Sequence, residues 1–254
     1  MASRKIFYGW WIVVLALILG IFGGATIWYG FTAFFDPLIK EFAWSYTAIS
    51  LAASLRGAEF GLMDAIIGFL SDRISIRWII LGSSLLVSLG WFILSRVNSL
   101  GIFYLSFIII CTGAGGIGSV VFLTVLARWF HKSVGLVMGL TTAGFAAGGL
   151  AVPGIVYLLD VVGFRTAFFS FGITVLALGS IAAYFVRDWP KDVGIGPDGI
   201  SIDPSEDILE QIKPITSEKI APDYTIRQVL TKPAFWVITY ASAANSFSMT
   251  GVST

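Results

Sequence analysis

Three ionisable side chains, Arg56, Glu59 and Asp64, fall within "SLRGAEFGLMDAIIG" (residues 54–68), inside an apolar run from Ser45 to Leu70. Such a run is long enough to cross a bilayer. Each charge at mid-membrane costs roughly 2.5–3.5 kcal/mol on insertion scales, so the three require a reason. At i and i+3 on a helix, Arg56 and Glu59 are near enough to pair. Arg56 lies 16 residues before Asp72, roughly 22–24 Å of helix, which puts it near the bilayer centre and beyond the reach of snorkelling. It must face a partner or water. At 100° per residue, Ser54, Gly57, Gly61, Ala65, Gly68 and Asp72 share one small-residue face, expected to pack on a neighbouring helix, with Asp64 at its edge.

The elements that hold these residues are membrane helices. Of the 254 residues, 57% are hydrophobic and only 12% charged, against roughly 45–50% and 25% in soluble domains. A net charge of +1 and scattered basic residues give no nucleic-acid footprint. One cysteine (Cys111) and one histidine (His131) leave no disulfide framework and no multi-histidine metal site, and no cofactor is implied. A membrane enzyme would need nucleophile, base or metal ligands at one depth, and a channel rings of polar residues; neither pattern is visible.

Six apolar runs are long enough to span: roughly 9–35, 45–70, 78–95, 100–127, 134–158 and 166–186. The first has a basic start like a signal peptide but no small-residue cleavage site, and reads as an uncleaved span. A seventh run begins near Pro233 and is still apolar at Thr254, which is most simply a fragment of a longer chain. Arg4 and Lys5, Arg73 and Arg77, and Arg128 and Lys132 fall on one side of these spans, while Lys40, Arg96 and Arg165 fall singly on the other. The positive-inside rule therefore predicts a cytoplasmic N-terminus. Residues 1–186 are expected to form a six-helix bundle, 187–232 a cytoplasmic central loop rich in Pro, Gly and acids, and 233–254 the start of the seventh span.

The sequence also repeats. "LSDRISIR" (70–77) after the second span and "LLDVVGFR" (158–165) after the fifth both fit L-x-D-x-x-[SG]-x-R, with Asp72 and Asp160 in register. Three spans separate them, so the two loops lie on opposite sides of the membrane. Two three-helix units of opposite orientation predict an all-α, 3+3 inverted-repeat secondary transporter.

"GFLSDRISIR" resembles the signature of the major facilitator superfamily between its second and third helices, G-x-L-x-D-R-x-G-R-[KR]. Gly68, Leu70, Asp72, Arg73 and Arg77 match; Ser75 stands where glycine, and Ile76 where a basic residue, is usual. "FYGWWIVV", "ARWFHKSVGLVMGLTTAGFAAGG" and "DWPKDVGIGPDG" are similar to the branch of monocarboxylate-transporter-like and oxalate/formate-antiporter-like proteins. The resemblance covers the whole chain as the N-terminal half of such a carrier. It implies alternating-access transport of small carboxylates at the plasma membrane, proton-coupled or exchanged for another anion, with a second bundle of the same chain as partner. The antiporter pattern G-P-x-x-G-G aligns with Gly144 to Gly149 but meets Phe145 in place of proline; the helix-5 glycines are otherwise expected to serve close packing.

The superfamily places helices 1, 4 and 7 along a cavity. That nominates Thr26, Trp28, Tyr29 and Thr32, then Thr112 and Ser119, then Asn245. Arg56 and Glu59 either form a purely structural pair or border this cavity. Asp64 is a proton-titrating site or, the favoured reading, part of the gate. The expected gate set is Asp64, Gly68, Asp72, Arg73 and Arg77 on one side and Asp160 and Arg165 on the other, with Gly68 allowing close helix approach and Asp72 accepting charge-assisted bonds. Transport-inactive sensors of the same fold share these features.

Overall fold

A computed structural model describes residues 7–199, 231–233, 236–237 and 240; within its helices the side chains of Ala53, Leu55, Gly57, Ala58, Phe60, Gly61 and Ser119 lie outside that description. Residues 1–202 make one compact unit and 203–254 another.

Among the described residues of the first unit, nine α-helices build six spans. The first span joins α1 (Gly9–Gly23) through a π-helical turn (Gly24–Tyr29) and a 3₁₀ turn (Gly30–Phe34) to α2 (Phe35–Phe42). The second is α3 (Tyr46–Ser71), started by Ser45, whose side chain accepts the Ala48 N–H at 3.2 Å. The third is α4 (Ile76–Ser95). The fourth is α5 (Leu100–Gly116) and α6 (Ser119–Trp129), and the fifth α7 (Val134–Ala147), a 3₁₀ turn (Gly148–Ala151) and α8 (Val152–Val162). The sixth is α9 (Phe164–Phe185). Five of these, among the described residues, are apolar and long enough to cross a membrane; the 26-residue α3, with its three charges, matches them in length.

Three spans are broken where the sequence reading has them continuous, and each break falls on glycine. Gly24 and Gly30 flank the π turn, Gly116 and Gly118 bound the α5–α6 break, and Gly148 and Gly149 open the turn before Pro153. Glycine disfavours helix interiors, and in a bilayer the freed backbone groups must find partners in neighbouring spans.

The packing order exposes the repeat. The third span packs about equally on the sixth and on the fourth, the first chiefly on the fifth, and the second chiefly on the fourth. Exchanging spans 1–3 with 4–6 turns the first-to-fifth contact into the fourth-to-second one and leaves the third-to-sixth contact in place. These three contacts behave as two equivalent three-helix units about a pseudo-two-fold axis do, while the third-to-fourth contact is much larger than its counterpart between the sixth and first spans. At its centre Trp91 of α4 packs edge-on against Phe34 and Phe171, their ring centroids 5.9 and 5.2 Å away, with Phe168 at 5.4 Å. The repeated loops differ in one backbone angle. Gly163 has φ +77°, which requires glycine, whereas Ser75 has φ −55°, which any residue adopts. This accounts for serine at the signature's usual glycine.

Residues 187–199, expected as the start of a linker, are tied onto the bundle end that carries the α3–α4 and α6–α7 loops. Asp188 Oδ1 accepts the Ile76 N–H at the head of α4 at 2.9 Å, and Asp198 Oδ2 accepts the N–H groups of His131 and Lys132 at 3.1 and 3.0 Å. Trp129 Nε1 donates to the Arg187 carbonyl at 3.0 Å, and Arg128 lies 4.8 Å over the Trp189 ring. Two acids of the expected linker, Asp188 and Asp198, thus take backbone donors at the ends of spans.

Candidate functional site

A cavity of about 270 Å³ opens between the first, second, fourth and fifth spans, all of which bend or break beside it except the second. Gly20, Gly23, Ile27 and Trp28 form its first-span wall, Gly115 and Gly118 the α5–α6 side, and Phe145 the α7 side. Trp28 and Tyr29 each approach the Phe145 ring with centroids 6.0 Å apart. Glycines here let backbones form the wall directly. A Cβ on Gly148 would sit 2.5 Å from the Ala25 nitrogen, and one on Gly24 would strike the Phe145 carbonyl oxygen. The expectation of glycine-mediated packing holds at Gly144 and Gly148. At Gly135 and Gly139 a Cβ would meet nothing within 4 Å.

Among the described residues that line the cavity, Asp64 is the one ionisable side chain. Of its two expected roles, a proton-titrating site and the favoured gate, neither is tied to a cavity wall, which is where the structure places its side chain. Asp72, two turns beyond Asp64 at the C-terminal end of α3, is exposed, and its carboxylate makes no hydrogen bond or ion pair among the described residues. Asp188, not Asp72, takes the helix N-terminus.

The Arg56–Glu59 pair is absent among the described residues; each side chain turns to a different neighbour. Arg56 Nη1 donates to the Ile27 carbonyl at 2.6 Å and to that of Trp28 at 3.3 Å, with the guanidinium carbon 4.7 Å from the Trp28 ring centroid. Glu59 Oε1 accepts from Thr112 Oγ1 on α5 at 2.6 Å. The reason is the break in the first span. A change from π to 3₁₀ pitch interrupts the helical ladder, and Arg56 supplies a charged donor to carbonyls at that join. A double-mutant cycle checks this assignment by thermal unfolding. Arg56→Ala and Glu59→Ala, opposite charges one turn apart but not in contact, are expected to couple by about 2 kcal/mol or less through space at an effective dielectric constant of 20; a coupling of about 4 kcal/mol or more would restore the ion pair.

The remaining nominees divide. Trp28 lines the cavity and Tyr29 adjoins it, whereas Thr32 is exposed outside the lining. Thr26 is buried, its hydroxyl donating to the Phe22 carbonyl at 2.7 Å, and it does not line the cavity. Thr26, nominated by the resemblance alone, falls within the π turn, whose pitch differs from that of an α-helix. Thr112 holds Glu59; Ser119 begins α6; Asn245 lies outside the described residues. Gly68 does not bring helices together, for a Cβ there meets nothing within 4 Å, and Leu62, Ile66 and Phe69 around it are exposed. Arg73 and Arg77 lie over the rings of Phe69 and Trp78 at 4.2 and 5.6 Å. At the opposite end Arg165 meets Glu41 at 3.8 Å, both exposed, and Asp160 is exposed. Ile27 and Phe145 were missed as wall residues. The departure from the proline pattern at 145 was their one visible signal.

Residues 7–254 match the Major Facilitator Superfamily. The chain belongs to the major facilitator superfamily. Within it, the chain is 23% identical over 90% of its length to an uncharacterized major-facilitator-type transporter, YhjX, of Escherichia coli, covering 52% of that protein. It is 25% identical to the oxalate:formate antiporter of Oxalobacter formigenes, covering 90% of this chain and 50% of that one. A bacterial homologue of the human lysosomal transporter Spinster, solved inward-facing and unoccupied, superposes with a TM-score of 0.65 at 16% identity, over 83% of this chain and 48% of that one. This major facilitator chain thus spans about half the length of the curated relatives it matches.

Proposed function

We propose that the carrier containing this chain moves a small organic anion, a mono- or dicarboxylate, across the plasma membrane by alternating access. Residues 1–186 are its first bundle, 187–232 the central loop and 233–254 the start of the seventh span, with a second bundle as the missing wall. The basic loops orient the N-terminus to the cytoplasm. The observation that carries this reading is an apolar, aromatic cavity at the broken spans of a superfamily member, beside its similarity to a protein named an oxalate:formate antiporter. The gate residues remain Asp72, Arg73 and Arg77 on the cytoplasmic side and Asp160 and Arg165 outside. Asp64 moves from gate to coupling site. A carboxylate in the wall repels an anion unless it holds a proton, so anion and proton travel together. Exchange of one carboxylate for another is the second reading, favoured by that antiporter relative.

Ligand-induced stabilisation of the purified full-length carrier tests the substrate class. A carboxylate at about 100-fold its Kd stabilises by about 2.7 kcal/mol. Short carboxylates are expected to raise Tm and organic amines not to. The reverse pattern would make Asp64 a cation site and overturn the anion reading.

A further inference from the structure

The first span changes pitch twice between Gly24 and Phe34. Aromatic rings of neighbouring spans pack on this stretch, and the second span adds a charged donor to it. Arg56 donates to two successive carbonyls, Ile27 and Trp28, and its planar group lies between the Trp28 and Phe31 rings, 4.7 and 5.2 Å from their centroids. Ile27 and Trp28 line the cavity; Arg56 does not. Arg56 therefore sits one layer behind the wall.

We infer that Arg56 is a positioning residue that fixes the broken stretch of the first span and so sets the shape of the cavity wall at Ile27 and Trp28. The chemistry favours arginine specifically. A guanidinium is planar and always charged, so it can donate in its plane while its faces meet aromatic rings. A lysine ammonium at the same place has no face to stack. Glu59, one turn further along α3, is tied to α5 through Thr112. The second span thus grips the first and the fourth, each of which forms part of the cavity.

The linkage to substrate rests on the transport reading above; the local positioning does not. The test uses the full-length carrier with Arg56→Lys and follows hydrogen–deuterium exchange of peptides covering 24–34 and 9–23. Arg56→Lys is expected to speed exchange at least fivefold in 24–34 and to leave 9–23 unchanged. It is also expected to raise the KM for a transported carboxylate about tenfold with the maximal rate within twofold. A general loss of structure, moving both peptides and the maximal rate together, would overturn the local role. Unchanged exchange in 24–34 would overturn the inference. Local opening in a carrier that moves no carboxylate would support the positioning role and sink the transport reading. Should Arg56→Lys fail to fold, Phe31→Leu carries the same test, because it removes the ring beside the guanidinium without touching a charge. A two- to threefold faster exchange confined to 24–34 is then expected, and unchanged exchange there overturns the inference.

Discussion

Gly148→Val is expected to leave almost no folded carrier. The first Cβ atom already collides, lying 2.5 Å from the Ala25 nitrogen, 2.7 Å from the Ile21 oxygen and 2.8 Å from the Gly24 carbonyl carbon. All three are backbone atoms, so no side chain can swing aside. Gly24 meets the Phe145 carbonyl oxygen from the other side of the same crossing. Overpacking of a core costs about 1–3 kcal/mol when side chains can move; here two spans must separate, and in lipid their close contact is itself the stabilising interaction. Gly148→Ala should already lower Tm by several degrees, while Gly139→Ala, which meets nothing within 4 Å, should match the parent. The check is monodisperse yield and Tm in detergent. A folded Gly148→Val protein with the parent's Tm would show that the first and fifth spans do not cross this closely.

The span count, the inverted repeat and the superfamily were legible because hydropathy and loop motifs are local properties. "LSDRISIR" and "LLDVVGFR" announce two equivalent corners, and the pairing of the third span with the sixth follows from that symmetry. The site was less legible, for one physical reason. The candidates on the first and fourth spans rest on the resemblance alone, which carries no information on where a span breaks or how its side chains then turn. Thr26 lies buried in the π turn at Gly24–Tyr29, and the Ile27 and Trp28 carbonyls near its end take Arg56, which therefore does not pair with Glu59. Spacing on α3 correctly made the two charges neighbours; it carried no information on competing partners from other spans. The strap at 187–199 was hidden for a similar reason. Asp188 and Asp198 look like linker acids until the backbone donors at Ile76 and His131 are placed beside them.

Asp64→Asn is expected to uncouple the carrier. With Asp64 in the cavity wall, an anion about 6 Å from its carboxylate is disfavoured by roughly 3 kcal/mol at an effective dielectric constant of 20, or about a hundredfold in affinity. Protonation removes that penalty, and so does asparagine, which keeps the shape and fixes the neutral form. The variant should bind carboxylate up to about a hundredfold more tightly than the parent at alkaline pH, with little further pH dependence. Uptake against a concentration gradient, driven by an inward proton gradient, should collapse, because no proton leaves with the substrate. Exchange of internal for external carboxylate should persist. An Asn variant that still accumulates substrate at the parent's rate would return Asp64 to the gate.

Proton movement driven by substrate tests the central claim, a carboxylate carrier whose wall acid accompanies the anion, most directly. Vesicles holding the full-length protein and a pH-sensitive dye, with the membrane potential clamped at zero, are given an external carboxylate, and protein-free vesicles provide the leak. The expected result is acidification of the lumen above that leak, absent with Asp64→Asn. No carboxylate-dependent acidification above the leak, or an organic cation entering as protons leave, would contradict it.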